Sequence, residues 1–198
     1  MNQSPLDLKF MNCAVPPKHV FLYGKIVKIV PFQIEKHKTS LKKIDIESIN
    51  QIQFNEVSTT EDLEYHLRTS NTEIITFVIS SKKNEILGFI YLYDIKMEEK
   101  SLEMNFHLFN DQDEILLDCC FLMIQYLFDI LGYKKIILKT NEKDEKMIEK
   151  TLKIGFQFEI KSRNKLRKNK EFQNICSFSL IDKDWSKVKK NLFNKSSL

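Results

Sequence analysis

The feature of this sequence that most constrains its fold is a change of hydrophobic period between residues 101 and 140. Residues 101–109 (SLEMNFHLF) alternate between apolar and polar side chains, as a strand with one buried face does. Residues 115–131 are mostly apolar without that alternation, and they predict a buried helix that Gly132 ends. Residues 133–140 (YKKIILKT) predict a short buried strand. A strand, a helix and a strand in this order predict a right-handed parallel crossover.

The other predicted elements surround this crossover in a single sheet. They are strands at 24–32, 73–80, 85–95, 156–160 and 172–180, and helices starting at 58–61 and covering 141–154. The two strands at 73–80 and 85–95 are joined by a short turn and predict a hairpin. Together these patterns predict one mixed α/β sheet with helices on both faces. We predict an N-terminal arm at 1–19, one domain at 20–186 and a basic tail at 187–198.

The net charge of +4 on 198 residues is too weak to indicate a nucleic-acid partner. The basic residues are concentrated at 161–170, a stretch with few aromatic residues between them. We interpret this stretch as a solvated hairpin loop. Attraction of an acidic substrate and contact with RNA are the two alternatives.

The four cysteines have no spacing typical of a zinc site, and we expect free thiols and no bound metal. The first residues lack the cationic and apolar regions of a signal peptide. The most apolar stretch, 115–131, is short for a membrane span and contains three polar side chains. We therefore expect a cytoplasmic protein without a membrane anchor.

All four glycines and the single tryptophan stand in a characteristic order along the predicted elements. They are Gly24 before the first strand, Gly88 in EILGFIYL, Gly132 in DILGYKKIIL, Gly155 in KIGFQFEI and Trp185 after CSFSLIDKD. In this order and spacing, residues 24–185 resemble the GNAT superfamily of N-acetyltransferases, in particular the branch that acetylates ribosomal-protein N-termini. The resemblance implies a largely antiparallel sheet whose central parallel strands splay apart. It also implies acetyl-CoA as co-substrate.

The resemblance implies where acetyl-CoA would bind. Its pantetheine arm would lie along strand 101–109, in a cleft beside strand 134–140, and its pyrophosphate would meet the start of the next helix. The implied cofactor-binding residues are Leu108, Phe109, Asn110, Gln112, Glu114, Ile115 and Asn141.

Two positions depart from the family pattern. Residues 110–114 (NDQDE) contain no glycine and no arginine but three acids, so the acetyl-CoA loop is degenerate. At an effective dielectric near 40, one carboxylate about 5 Å from one phosphate charge costs about 1.5–2 kcal/mol. Alternatively, Asp111 or Asp113 caps the helix and the carboxylates occupy the donors that phosphates use elsewhere. The family often has an asparagine just after the strand at 134–140. Counted back from Gly155, that position is Asp144, or Asn141 if three residues are inserted.

Glu103 is the first candidate for the base that takes a proton from the acceptor amine, and His107 is the second. Both lie on the predicted polar face of strand 101–109, where a carboxylate or an imidazole can accept that proton. The alternatives are an ordinary strand carboxylate and a satisfied polar residue at a strand end. We interpret Tyr91 and Tyr93 as sheet-packing residues, with lining of the acceptor pocket as the alternative, and Cys176 as a structural thiol.

The predicted function is transfer of an acetyl group from acetyl-CoA to a primary amine on a peptide N-terminus or a small molecule. The alternative is an inactive GNAT-like module that binds a protein or ligand partner, as the acidic loop suggests. A third interpretation is an RNA-associated protein acting through 161–170. We expect a monomer or a homodimer.

Overall fold

The computed structural model describes residues 20–42, 59, 61–62, 74–110, 112–168 and 171–195. The predicted arm at 1–19 lies outside these residues. The strands are β1 Leu22–Tyr23, β2 Val27–Pro31, β3 Ile74–Ser81, β4 Ile86–Lys96, β5 Ser101–Leu108, β6 Lys135–Asn141, β7 Gln157–Lys168 and β8 Glu171–Ile181. The helices are α1 Ile34–Leu41, α2 Asp113–Gln125, α3 Glu145–Ile154 and α4 Asp182–Lys195, and a π-helical turn, Tyr126–Ile130, extends α2.

The eight strands of the described residues form one sheet in the order β1-β2-β3-β4-β5-β6-β8-β7. Among these strands only the central pair, β5 and β6, is parallel, and the other neighbouring pairs are antiparallel. Helix α2 connects β5 to β6, because a parallel neighbour can be reached only through a long connection. The predicted mixed, largely antiparallel sheet with a crossover between 101 and 140 is confirmed.

The two faces of the sheet divide the side chains of β5 as the alternation predicted. Leu102, Met104 and Phe106 are buried in the main core, which also contains the apolar residues of α2 and α4. The other face carries a smaller cluster centred on Phe89, against which Ile34 of α1 packs. Helices therefore lie on both faces of the sheet.

A buried carboxylate fastens the β1–β2 turn to α2. Asp118 of α2 accepts hydrogen bonds from the backbone N–H groups of Lys25 (3.2 Å), Ile26 (2.7 Å) and Val27 (2.9 Å). A Cβ atom on Gly24 would lie only 2.5 Å from the Oδ2 atom of Asp118, so the turn needs glycine at that position. This turn occupies the first residues of the predicted strand 24–32, which consequently begins at Val27.

The helix start predicted at 58–61 lies partly outside the described residues, but residues 61–62 are helical and Thr59 caps them. The hydroxyl of Thr59 accepts the N–H of Asp62 at 3.1 Å, and the Asp62 carboxylate accepts the N–H of Thr59 at 2.9 Å. This reciprocal pair satisfies two backbone donors at the start of the helix. Helix α1, by contrast, was not predicted, because residues 34–41 (IEKHKTSL) carry only scattered apolar side chains.

The basic stretch was interpreted wrongly as a loop. Residues 161–168 continue β7, which is one of the two edge strands of the described sheet. Their polar character reflects that position, because charged side chains on an edge strand hinder pairing with other chains. Residues 187–195, assigned to a basic tail, belong to α4, and Leu192 is buried in the main core.

Candidate active site

The two parallel strands separate after only three pairs of residues. β5 and β6 pair from Ser101 opposite Lys135 to Glu103 opposite Ile137. Beyond these pairs β5 stays beside β4 and β6 stays beside β8. We call the space between residues 104–108 of β5 and 138–141 of β6 the wedge. It is the place where a ligand could add hydrogen bonds to exposed strand edges.

Backbone alternation determines which groups of β5 point into the wedge. Phe109 donates its N–H to the Leu87 carbonyl of β4 at 2.9 Å, so Leu108 directs its backbone groups to the other side. The N–H of Phe106, two residues earlier, also points towards β6 and is accepted by the side-chain Oδ1 of Asn105 at 2.8 Å. The same side chain donates from Nδ2 to the Lys139 carbonyl at 3.4 Å. Asn105 thus bridges the strands just beyond the last backbone pair.

Glu103 lies at the apex of the wedge. The residue is 4% exposed, and its carboxylate forms an ion pair with the Nζ atom of Lys139 on β6. The Lys139 side chain is 33% exposed. The apex therefore contains a buried carboxylate that holds one ammonium group, that of Lys139.

His107 is on the same face but further along β5. Four residues of extended strand separate it from Glu103 by about 13 Å, so the two side chains cannot contact one substrate atom together. The imidazole is partly buried and lies beside the Phe109 ring, with 5.8 Å between ring centroids. His107 consequently belongs to the open end of the wedge.

The start of α2 borders the same end, and the capping predicted there is wrong. The N-cap residue is Gln112, whose side chain makes no capping hydrogen bond. Asp113 is instead the first helical residue, and its carboxylate forms an ion pair with Lys153 of α3. Asp111 lies outside the described residues. The first helical amides have no acceptor within the helix, so they remain suited to an anion.

The other predicted residues near this helix have distinct positions. Asn110 and Glu114 are exposed, whereas the side chain of Ile115 is buried in the main core. Only the backbone of Ile115 can therefore contact a ligand. Lys153 was missed by the sequence analysis, because it lies 40 residues beyond Asp113 and nothing in the local pattern connects them.

Asn141, at the end of β6, closes the opposite wall of the wedge. It is buried, its Nδ2 donates to the Gln173 side chain at 2.5 Å, and its Oδ1 accepts the N–H of Lys143 at 2.9 Å. Asp144, the position reached by counting, caps α3 by accepting the N–H of Met147 at 3.0 Å. Of the two alternatives, only Asn141 therefore reaches the wedge.

Cys176 lies on β8, beside the basic edge strand β7. The pKa of the Cys176 thiol is raised, mainly by burial and further by the nearby Glu142 carboxylate. A raised pKa disfavours the thiolate that nucleophilic chemistry needs. Glu142 itself pairs with Lys161 of β7 at 3.1 Å. Among the described residues, no group of three or more His, Cys, Asp or Glu side chains could hold a metal ion.

Comparison with known proteins identifies the fold. No family model matches the sequence, and no curated protein matches it. A GCN5-related N-acetyltransferase from Brucella melitensis is similar in structure, with a TM-score of 0.80, 18% identity, and alignment over 94% of this chain and 89% of that one. A GNAT-family acetyltransferase from Bacillus anthracis aligns at a TM-score of 0.70 and 15% identity, over 83% of this chain and 99% of its own.

A third similar structure is the spermidine/spermine N-acetyltransferase SpeG from Vibrio cholerae. It aligns at a TM-score of 0.66 and 15% identity, over 81% of this chain and 98% of its own. At these identities the comparisons establish the fold, which is that of the GNAT acetyltransferases. The predicted fold is thereby confirmed. None of the helices within the described residues has the length and apolar character needed to cross a membrane.

Proposed function

We propose that this protein is an acetyl-CoA-dependent N-acetyltransferase whose acceptor is a primary amine on a peptide N-terminus or a small molecule. The observation that carries the proposal is the wedge between β5 and β6, which has a buried carboxylate at its apex and the start of a helix at its mouth. Similar solved structures are acetyltransferases, and SpeG acts on spermidine and spermine by its name.

The residues around the wedge fit acetyl-CoA. The backbone of Leu108 points into the wedge, where an extended pantetheine arm would bond to it as a strand does, with Phe109 and Asn141 nearby. The first amides of α2 and the Lys153 ammonium suit the pyrophosphate, which would pass Asn110 and Gln112. Bound acetyl-CoA supplies an electrophilic thioester carbonyl.

Within this site we assign Glu103 the role of general base. Its carboxylate faces an ammonium group, that of Lys139. In the proposed reaction it receives the ammonium group of the acceptor and takes one of its protons. His107 is the second candidate, and it suits an acceptor that enters from the open end of the wedge. The Asn105 side chain joins the backbones of β5 and β6 next to this apex.

The first test concerns the charged residues at the mouth of the wedge. The measurement is calorimetric titration with acetyl-CoA and with CoA. Asp113→Asn removes a carboxylate beside the proposed phosphate position, and we expect binding between about three- and tenfold tighter. Lys153→Gln removes the cation and should weaken binding by a similar factor. Lys83→Gln, in the exposed β3–β4 turn, is the control and should leave the affinity unchanged. Unchanged affinity in both Asp113→Asn and Lys153→Gln would contradict the proposed pyrophosphate position.

Turnover gives the second test, with peptide N-termini of ribosomal proteins and polyamines as the first acceptors. Glu103→Gln should slow acetyl transfer by roughly 10²–10⁴-fold and leave CoA affinity near that of the unaltered protein. Equal turnover would remove Glu103 from the mechanism.

The acidic first turn of α2, with Asp113 and Glu114, favours a second candidate function, an inactive module that binds a partner. Absence of acetyl-CoA binding at millimolar concentration would support this candidate against the first. Location in the cytoplasm stays a prediction, supported by the free thiols of Cys119, Cys120 and Cys176.

A further inference from the structure

The apex of the wedge contains an amine of the protein's own. The Nζ atom of Lys139 is hydrogen-bonded to Oε1 of Glu103, the group that we assign as base. Lys139 lies on β6 two residues beyond Ile137, the last residue paired with β5. The backbone carbonyl of Lys139 accepts a hydrogen bond from the Asn105 side chain. This bond holds the backbone of Lys139 at the point where the two strands diverge.

A second lysine of β6 shows that pairing and exposure alone do not distinguish Lys139. Lys135 is four residues earlier on the same face, its side chain is 35% exposed, and its Nζ pairs with Glu159 at 2.7 Å. Lys135 lies opposite Ser101, however, where β5 and β6 are still joined. The Glu159 side chain is 38% exposed, whereas the Glu103 side chain is 5% exposed. Of these two lysines, only Lys139 combines a buried carboxylate with a position on the wedge.

We propose that Lys139 is a self-acetylation site, an inference that rests on the proposed binding of acetyl-CoA in the wedge. Glu103 takes one proton from the Lys139 ammonium along their hydrogen bond. The neutral Nζ forms a bond to the carbonyl carbon of the thioester, and the carbon–sulfur bond breaks. The second proton of the nitrogen passes to the sulfur and gives the CoA thiol. Glu103 returns its proton to solvent, so the products are N-acetyl-lysine, CoA and one proton.

Acetylation would change what the apex can bind. The amide of acetylated Lys139 carries no positive charge, so Glu103 loses its ion-pair partner. A buried carboxylate without a partner is costly, and an incoming ammonium group would remove that cost. The modified protein should therefore bind acceptor amines more tightly than the unmodified protein.

The experiment is incubation of the full chain with deuterium-labelled acetyl-CoA, followed by peptide mass mapping over time. Lys139 should gain one labelled acetyl group roughly 10²-fold faster than Lys135, which serves as the control within the same molecule. Glu103→Gln should lower the Lys139 rate to that of Lys135. Glu159→Gln should leave the Lys139 rate unchanged, because Glu159 pairs with Lys135 and not with Lys139. Lys139→Arg should remove the fast modification and retain the positive charge.

Equal rates at Lys139 and Lys135 would overturn the inference, as would a Lys139 rate that Glu103→Gln leaves unchanged. CoA binding, measured by calorimetry on the same preparations, separates this failure from that of the proposed function. Binding without modification of Lys139 refutes self-acetylation alone. Absence of binding refutes both.

Discussion

Replacement of Asp118 by Asn tests how the N-terminal hairpin is attached to the domain. The carboxylate is 3% exposed, and three consecutive backbone N–H groups, those of Lys25, Ile26 and Val27, point at its two oxygens. Asn has nearly the same shape but one acceptor oxygen and one amide donor. It can accept the two shorter bonds, from Ile26 and Val27, only by turning its NH₂ group towards the N–H of Lys25.

The expected cost follows from these contacts. A hydrogen bond to a charged group contributes about 1.5–3 kcal/mol, and a neutral one about 1 kcal/mol. The substituted amide would therefore weaken two bonds and replace the third by two opposed donors, a loss of about 3–5 kcal/mol. Relief of the desolvation of a buried charge offsets part of this loss. We expect the free energy of unfolding to fall by about 2–4 kcal/mol, a large share of the roughly 5–15 kcal/mol typical of a domain.

Urea unfolding, followed by the fluorescence of Trp185 and by circular dichroism, measures this change. Asp129→Asn is the matched control, because Asp129 lies in the π-helical extension of α2 and also accepts two bonds, from Trp185 at 2.9 Å and Lys189 at 2.6 Å. Its side chain is 33% exposed, so we expect a loss of about 1 kcal/mol or less. If Asp118→Asn is no more destabilising than Asp129→Asn, the buried carboxylate does not anchor the hairpin.

Three further predictions concern the packing and titration of single residues. Gly88→Ala should lower the free energy of unfolding by about 3 kcal/mol, because the added Cβ atom would lie 2.1 Å from the His107 carbonyl oxygen. An unchanged thermal midpoint would contradict this prediction. Cys176 should resist iodoacetamide in the native protein at pH 8, because burial raises its pKa, and peptide mapping that finds rapid labelling would refute this. Burial, followed by the charge of Lys36, lowers the pKa of His37 from 6.5. The unfolded chain thus binds more protons there, so stability should fall as the pH drops below about 6.5, and His37→Gln should reduce that slope in urea unfolding measured at several pH values.

Local patterns were sufficient to predict the centre of the sheet. The hairpin of β3 and β4 and the alternation along β5 depend on neighbouring residues, and Gly132 and Gly155 end their helices by adopting positive φ angles, as glycine does readily. The edges were harder to predict. Helix α1 and the basic half of β7 are held by the sheet rather than by their own pattern, because a chain segment at an edge buries only part of its surface.

The candidate site was also predicted only in part from local patterns. Alternation predicted that Glu103, Asn105 and His107 share the polar face of β5, but it did not predict that Asn105 bridges to the carbonyl of Lys139 on β6. That contact joins residues 34 positions apart and depends on how far the parallel strands separate. The sequence therefore identifies the residues of the wedge and leaves their partners to the tertiary structure.

Charge is the property for which the sequence and the tertiary structure differ most. The sequence shows acids at 110–114 and at Glu103, and it predicts repulsion of a phosphate ligand by the first group. In the folded chain Asp113 has Lys153 beside it and Glu103 has Lys139, each cation contributed by a distant element. An ion pair beside a phosphate exerts a weaker field than a lone carboxylate, so the cost of about 1.5–2 kcal/mol per carboxylate is an upper limit for Asp113. Acetyl-CoA affinity in this chain should accordingly depend on Lys153. We expect Lys153 to meet the pyrophosphate, as glycine and arginine residues of the acetyl-CoA loop do in the GNAT superfamily.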